Sequence, residues 1–308
     1  MTDRVVVALD VGGTGMKCAL VRPDGTVHHT ERHPTRAARG PEAVTADILD
    51  IAAGLADRAR ADGLDPIAVG IAVPGVVDEE NGIAVWSSNV GFRDVPMRAL
   101  ITERVGLPAA LGHDVRVGGI AEARLGAGQG ERHVLFVAIG TGIAAALVVG
   151  GTGYGGAHGA AGEVGHIVVR PGGTPCPCGS RGCLEAETSA RAIGAKYAHL
   201  TGDPHATALD VVTRAGNGDD QAKRIWDEAM AALSDGLLTA QALYDVSVLV
   251  LGGGLAEAGE ALLEPVRAGL AERATFHRLP AVRKAALGDN AGCIGAALLA
   301  LDHLELSA

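Results

Sequence analysis

Residues 162–185 read GEVGHIVVRPGGTPCPCGSRGCLE and bring two carboxylates, one histidine and three of the chain's five cysteines into a short span. Cys176, Cys178 and Cys183 stand close together in a Gly/Pro-rich loop, with His166 at the near end of a short apolar run. Three thiolates and an imidazole complete a tetrahedral zinc set and leave no position open for water. A disulfide explains the cluster less well, because Cys-Pro-Cys is too tight to bridge within itself. The spacing therefore predicts a closed, structural zinc site on His166, Cys176, Cys178 and Cys183. Glu163, His166 and Glu185 flank the loop, and each offers hydrogen bonds to vicinal hydroxyls such as a sugar carries. Glu185 reads equally well as a solvated acid at a helix start.

A second kind of chemistry gathers at glycine turns. Asp10 ends the run RVVVALD, Gly12, Gly13 and Thr14 follow, and Lys17 opens the returning run. Gly140, Thr141 and Gly142 close HVLFVAIGTG in the same layout. Backbone N–H groups of such turns approach phosphate oxygens, and a threonine hydroxyl adds a donor. Asp10 would then hold Mg2+ directly or through water, and Lys17 would reach a phosphate. Either turn alone reads more simply as a β-hairpin; it is the repetition that favours a nucleotide cradle. Asp114 ends PAALGHD and precedes a Gly/Ala-rich helix. It either caps that helix or acts as a general base toward an attacking alcohol, with Mg2+ offsetting phosphoryl charge. Gly151, Gly153 and Gly156 match G-x-G-x-x-G, but no helix start or ribose-binding acid follows, and the Walker pattern is absent around Lys17.

The elements that must position these groups are legible as apolar runs. Residues 4–10, 16–21 and 26–33 predict three strands joined by tight turns. Val44, Ile48, Ile51 and Leu55 recur at helical spacing over 41–61. Residues 66–73 predict a buried strand closed by Pro74-Gly75, so the first third reads β-β-β-α-β. Helices are expected near 95–105, 115–126, 188–198, 206–214, 219–243, 258–273 and 291–304. Strands are expected at 108–114, 133–139, 143–149, 246–252 and 281–287.

Composition bounds the function. The 308 residues are 48% hydrophobic and carry a net charge of −10, which argues against a nucleic-acid surface. No apolar run reaches membrane-spanning length and the N-terminus lacks a signal-peptide pattern, so no membrane partner is expected. Cys18 and Cys293 stand alone, and free thiols beside a thiolate–zinc site fit a reducing cytoplasm.

Taken together, DVGGTGMK, AIGTGIAAAL, VLGGGLAEAG and GEVGH followed by CPCGSRGCLE resemble the ROK family (repressor, open reading frame, kinase) of bacterial sugar kinases and regulators. The resemblance covers nearly the whole chain. It implies an α/β, ribonuclease-H-like, actin-type fold of two lobes with ATP and sugar in the cleft. The expected lobes are 1–112 with 290–308, and 113–289. It implies that Asp114 activates a sugar 6-hydroxyl, that Gly75, Asn89, Glu163, His166 and Glu185 bind the sugar, and that Gly253 and Gly254 form the adenosine-side turn. His166 would use one ring nitrogen on zinc and the other on a sugar hydroxyl. His113 stands where the family usually has Asn; it either alters which hexose fits or is a tolerated swap, since both residues donate and accept. The implied activity is an ATP- and Mg2+-dependent hexose kinase, with glucose as substrate, and a homodimer or higher homo-oligomer. An N-acetylhexosamine kinase is the rival reading. A sugar sensor without kinase activity is a third, disfavoured by Asp10, Lys17 and Asp114 occurring together.

Overall fold

The computed structural model describes residues 3–307. Its order is β1 (Arg4–Val11), β2 (Gly15–Val21), β3 (Val27–Pro34), α1 (Pro41–Ala61), β4 (Asp65–Val73), β5 (Val76–Asp78), β6 (Ile83–Trp86), β7 (Arg93–Val95), α2 (Met97–Val105), β8 (Ala109–His113) and α3 (Asp114–Leu125). The chain continues through β9 (His133–Ile139), β10 (Ile143–Val149), β11 (Thr152–Gly153), α4 (Leu184–Thr188), α5 (Ala190–Thr201), α6 (Ala208–Gly216), α7 (Asp220–Tyr244), β12 (Val248–Gly252), α8 (Glu260–Arg273), β13 (Ala281–Lys284) and α9 (Ala291–Ser307).

Two five-stranded sheets share one plan. The first runs β3-β2-β1-β4-β8 and the second β11-β10-β9-β12-β13. In each, the leading strand (β1 or β9) pairs antiparallel with its hairpin partner and parallel with the next strand across a helical crossover. The repeated layout of apolar runs in the sequence is this repeated sheet. A small antiparallel sheet, β5-β6-β7, was not legible from the apolar runs because its strands are three or four residues long.

Contacts group the chain into two compact units. One holds the residues up to Leu125, Gly153–Ala161 and the residues from Asp289 onward; the other holds Gly126–Thr152 and Gly162–Gly288. The lobe boundary expected from the sequence, at 112/113, falls ahead of Asp114 and α3. In the first unit, Val5, Val7 and Leu9 of β1 pack with Val44, Ile48 and Leu55 of α1. Burial of each such side chain stabilises by roughly 1.5–3 kcal/mol. α9 covers β1, β4 and β8 and lies against α3, so close that a Cβ on Gly295 would strike the Val117 carbonyl. In the second unit, Leu135, Val137 and Ile139 of β9 share a core with Ile225, Leu233 and Leu237 of α7 and Leu262 and Val266 of α8. Among the described residues, no helix is long and apolar enough to cross a membrane.

Candidate active site

In the first unit, the candidate residues cluster because parallel strands end together. Asp10 of β1 is in register with Ala72 of β4, and Val73 of β4 with His113 of β8. The segments after these strand ends therefore emerge at one edge of the sheet, where open α/β sheets bind ligands. Asp10 is half-buried, and burial pushes its carboxyl above the ordinary range while Lys17, opposite it on β2, acts the other way. The following turn is closed by Gly12 N–H on the Gly15 carbonyl at 2.9 Å and braced by Thr35, whose hydroxyl donates to the Gly12 carbonyl at 2.6 Å. Thr14 is exposed, and a Cβ on Gly13 would lie 3.2 Å from Cβ of Asn89, so Asn89 sits against this turn. Lys17 Nζ lies 3.2 Å from Asp289, which also accepts from Arg32 at 2.6 Å.

Gly75 follows β4 with φ of 104°, a left-handed conformation in which a Cβ would strike the Trp86 carbonyl. Ser87, beside it, has a buried hydroxyl without a hydrogen-bond partner among the described residues. It is a polar group in want of a partner, and the sequence reading passed over it within the Trp-Ser-Ser-Asn loop.

Asp114 is the first residue of α3, and its Oδ1 accepts the Val115 N–H at 2.7 Å. His113 is buried, with Nδ1 accepting the Arg116 N–H at 3.4 Å and Nε2 lying 3.4 Å from Asp114 Oδ1. Burial, and then the charge of Arg116, push the His113 imidazole down to about 4. Arg116 is itself 2% exposed and pairs with Glu79. Arg116 is one of two arginines in a Gly/Ala-rich helix, and its apolar surroundings there are a faint sequence signal for this pair.

The second unit repeats the strand-end arrangement. Gly252 of β12 is in register with Ala138 of β9, so Gly253 emerges beside Ile139, just ahead of Gly140. A Cβ on Gly253 would lie 2.5 Å from the Ile139 carbonyl oxygen, and Gly254 opens a 3-10 helix, Gly254–Ala258. Thr141 is exposed between Gly140 and Gly142. Glu185, in the first turn of α4, is no solvated acid: its Oε2 accepts the Ile143 N–H at 2.9 Å. A Cβ on Gly142 would fall 2.6 Å from that oxygen, so the turn and α4 are in close contact.

The four zinc candidates converge. The ligand atoms of His166, Cys176, Cys178 and Cys183 all lie within 4.8 Å of one another. Cys178 Sγ is 3.7 Å from Cys183 Sγ, and Cys176 Sγ is 3.7 Å from His166 Nδ1. Metal–sulfur bonds of about 2.3 Å give a tetrahedral edge of about 3.8 Å, so these donors fit zinc. A tight turn shapes the loop, with Cys176 N–H on the Ser180 carbonyl at 2.9 Å and Gly179 N–H on the Cys176 carbonyl at 3.0 Å. Val168 bridges to Cys183, so the apolar run 167–169 forms an isolated bridge rather than a strand. With Nδ1 on the cysteine side, His166 Nε2 faces outward, 3.8 Å from Glu163 Oε2. Glu187, not singled out in the sequence, braces the loop by accepting the Thr174 N–H at 2.7 Å and pairing with Lys196 at 2.7 Å.

Duplicated sheets of this order, with a glycine turn after each leading strand, define the actin-like ATPase fold class. Within that class the chain belongs to the ROK family, whose sequence profile matches residues 6–303. It is 31% identical to a glucokinase of Halalkalibacterium halodurans, over 96% of this chain and 94% of that one. It is 32% identical to an N-acetylmannosamine kinase of Shigella flexneri, over 96% of this chain and 98% of that one. Among solved structures it is similar to a ROK hexokinase of Thermus thermophilus (TM-score 0.83, 33% identity, 98% of this chain and 99% of that one). It is also similar to a ROK family glucokinase of Streptomyces griseus in complex with glucose and AMPPNP (TM-score 0.82, 30% identity, 97% and 99%).

Proposed function

We propose that this chain is an ATP-dependent hexose kinase that phosphorylates the 6-hydroxyl of glucose. The observation that carries the reading is full-length similarity to glucokinases, one of them bound to glucose and an ATP analogue, in a chain that retains Asp114 at a strand end. Asp114 takes the proton of the attacking hydroxyl, and the oxygen displaces the γ-phosphoryl group in line. The turns at Gly12, Gly13 and Thr14 and at Gly140, Thr141 and Gly142 offer backbone N–H groups to phosphates, and Gly253 and Gly254 line the adenosine side. Lys17 exchanges Asp289 for a phosphate oxygen. Asp10 would hold Mg2+ directly or through water, and the ion would supply charge that offsets the phosphates.

Gly75, Asn89, His113, Glu163, His166 and Glu185 bind sugar hydroxyls. His166, Cys176, Cys178 and Cys183 would hold a structural zinc. His166, with Nδ1 on the cysteine side, would keep Nε2 protonated and free to donate to a sugar hydroxyl. A homodimer or higher homo-oligomer is carried over from the family resemblance, and a cytoplasmic location from the free thiols of Cys18 and Cys293.

The N-acetylmannosamine kinase relative, at 32% identity, favours one second reading, a 2-acetamido sugar as substrate. Coupled spectrophotometric turnover on glucose, mannose, N-acetylglucosamine and N-acetylmannosamine separates the two. Glucose is expected to give the highest kcat/KM; a tenfold preference for an acetamido sugar would overturn the glucose assignment.

A further inference from the structure

Beyond the base itself, an ion pair between a buried guanidinium and a half-buried carboxylate stands behind it. Arg116 Nη1 pairs with Glu79 Oε1, and Nη2 donates to the Gly159 carbonyl at 2.8 Å. The same Glu79 oxygen accepts the His113 N–H at 3.1 Å. One carboxylate thus ties the backbone of His113 to the guanidinium three residues on, and the guanidinium ties α3 to residues 153–161. The Arg116 N–H on His113 Nδ1 makes that nitrogen an acceptor. The proton of a neutral ring must then sit on Nε2, which lies 3.4 Å from Asp114 Oδ1. We propose that Arg116 and Glu79 are positioning residues for Asp114, holding His113 neutral with its Nε2–H turned toward the Asp114 carboxylate. The role assigned to Asp114 rests on the hexose kinase reading; the state of His113 does not.

The chemistry explains why a charge pair belongs here. A neutral imidazole steadies the carboxylate yet leaves it basic. A protonated ring at the same distance would stabilise the anion and weaken it as a base. The Arg116 charge opposes that protonation. Among the described residues, Asp114 and Arg116 of α3 and Glu79 beyond β5 are charged groups set against His113, and β4 sets Val73 alongside. The two carboxylates favour the charged ring, and burial together with Arg116 outweighs them. Asp78 of β5 is turned to Asn81, and the Glu80 carbonyl accepts from Arg98. On α9, Asp302 is engaged by Arg124, and His303 lines a cavity with Pro108 and Ala109 at the far end of β8.

The test has two arms. In the wild-type protein, heteronuclear NMR of the histidine rings follows His113, assigned by its loss in His113→Asn. The expected result is an Nε2–H tautomer that stays neutral below pH 5; an Nδ1–H tautomer, or protonation near pH 6.5, overturns the proposal. The second arm removes both charges together, as Arg116→Met with Glu79→Gln, so that neither is left buried and unpaired. The acid limb of the kcat–pH profile is expected to move up by at least half a pH unit, with sugar KM changed less than threefold. Adding His113→Asn should cancel the shift. An unmoved limb, or a shift that persists without the imidazole, overturns the proposal. If the double variant does not fold, the NMR arm decides alone. If the wild type phosphorylates no hexose, the functional reading falls while the NMR arm still reports on His113.

Discussion

At Asp114, one oxygen satisfies the start of α3 by accepting the Val115 N–H, and the assigned chemistry falls to the carboxylate's basicity. Asp114→Asn separates the two jobs, since an amide oxygen still accepts that N–H while the base is lost. Turnover is expected to fall by about 10²- to 10⁴-fold, with sugar affinity by calorimetry within a few-fold of wild type. Turnover within tenfold of wild type would remove Asp114 from the mechanism. His113 gives a stability prediction of definite sign. Its imidazole is pushed from 6.5 down to about 4 in the fold, so the unfolded chain binds a proton first as the pH falls. The associated stability is fully present above pH 6.5 and is lost between 6.5 and about 4. At about 1.4 kcal/mol per unit it amounts to about 3 kcal/mol. Denaturant titrations of wild type and His113→Asn at pH 7.5 and 4.5 should show this slope only in the wild type. At this scale the sequence disclosed Asp114 through its place between an apolar run and a helix. It did not disclose the Arg116–Glu79 pair, because the partners lie 37 residues apart and no periodicity links them.

Among the elements, the Cys/His loop is the one most clearly written in the sequence, because donor type and spacing alone bring out the ligand set. What spacing did not convey is how the loop is tied down. Glu185 reaches back 42 residues to the Ile143 N–H, and Glu187 holds Thr174. Those contacts exist only once α4 packs beside the hairpin of β9 and β10. Cys178 is the exposed cysteine of the set, so Cys178→Ser removes a thiolate without opening a cavity in the core. Zinc content by mass spectrometry is expected to fall well below one per chain. Sugar KM should rise at least tenfold or activity should collapse, while far-UV circular dichroism keeps the helices of the main core. Wild-type kinetics in zinc-free protein would show that the metal does not organise His166 and Glu163.

Over the whole molecule, the duplicated sheet was legible because long apolar runs repeat in the same order as the strands they form. The β5-β6-β7 sheet escaped, although Asn81-Gly82 between two short runs is a hairpin signal of known strength. Residues 153–161 join the first unit through contacts such as Arg116 with Gly159, which no shift in composition marks. Ligand binding to the native chain alone must raise its melting temperature by mass action, whichever residues make the contacts. At a sugar concentration one hundred times Kd the gain is about 2.7 kcal/mol. For a chain of this size that corresponds to a rise of roughly 5 °C. Glucose should produce such a shift by differential scanning fluorimetry without nucleotide, and it should persist in Asp114→Asn, where turnover is lost. N-acetylmannosamine at the same concentration should shift the midpoint by less. A larger shift with the acetamido sugar would mean that the pocket around C2 is built for it, and glucose would give way as the assigned substrate.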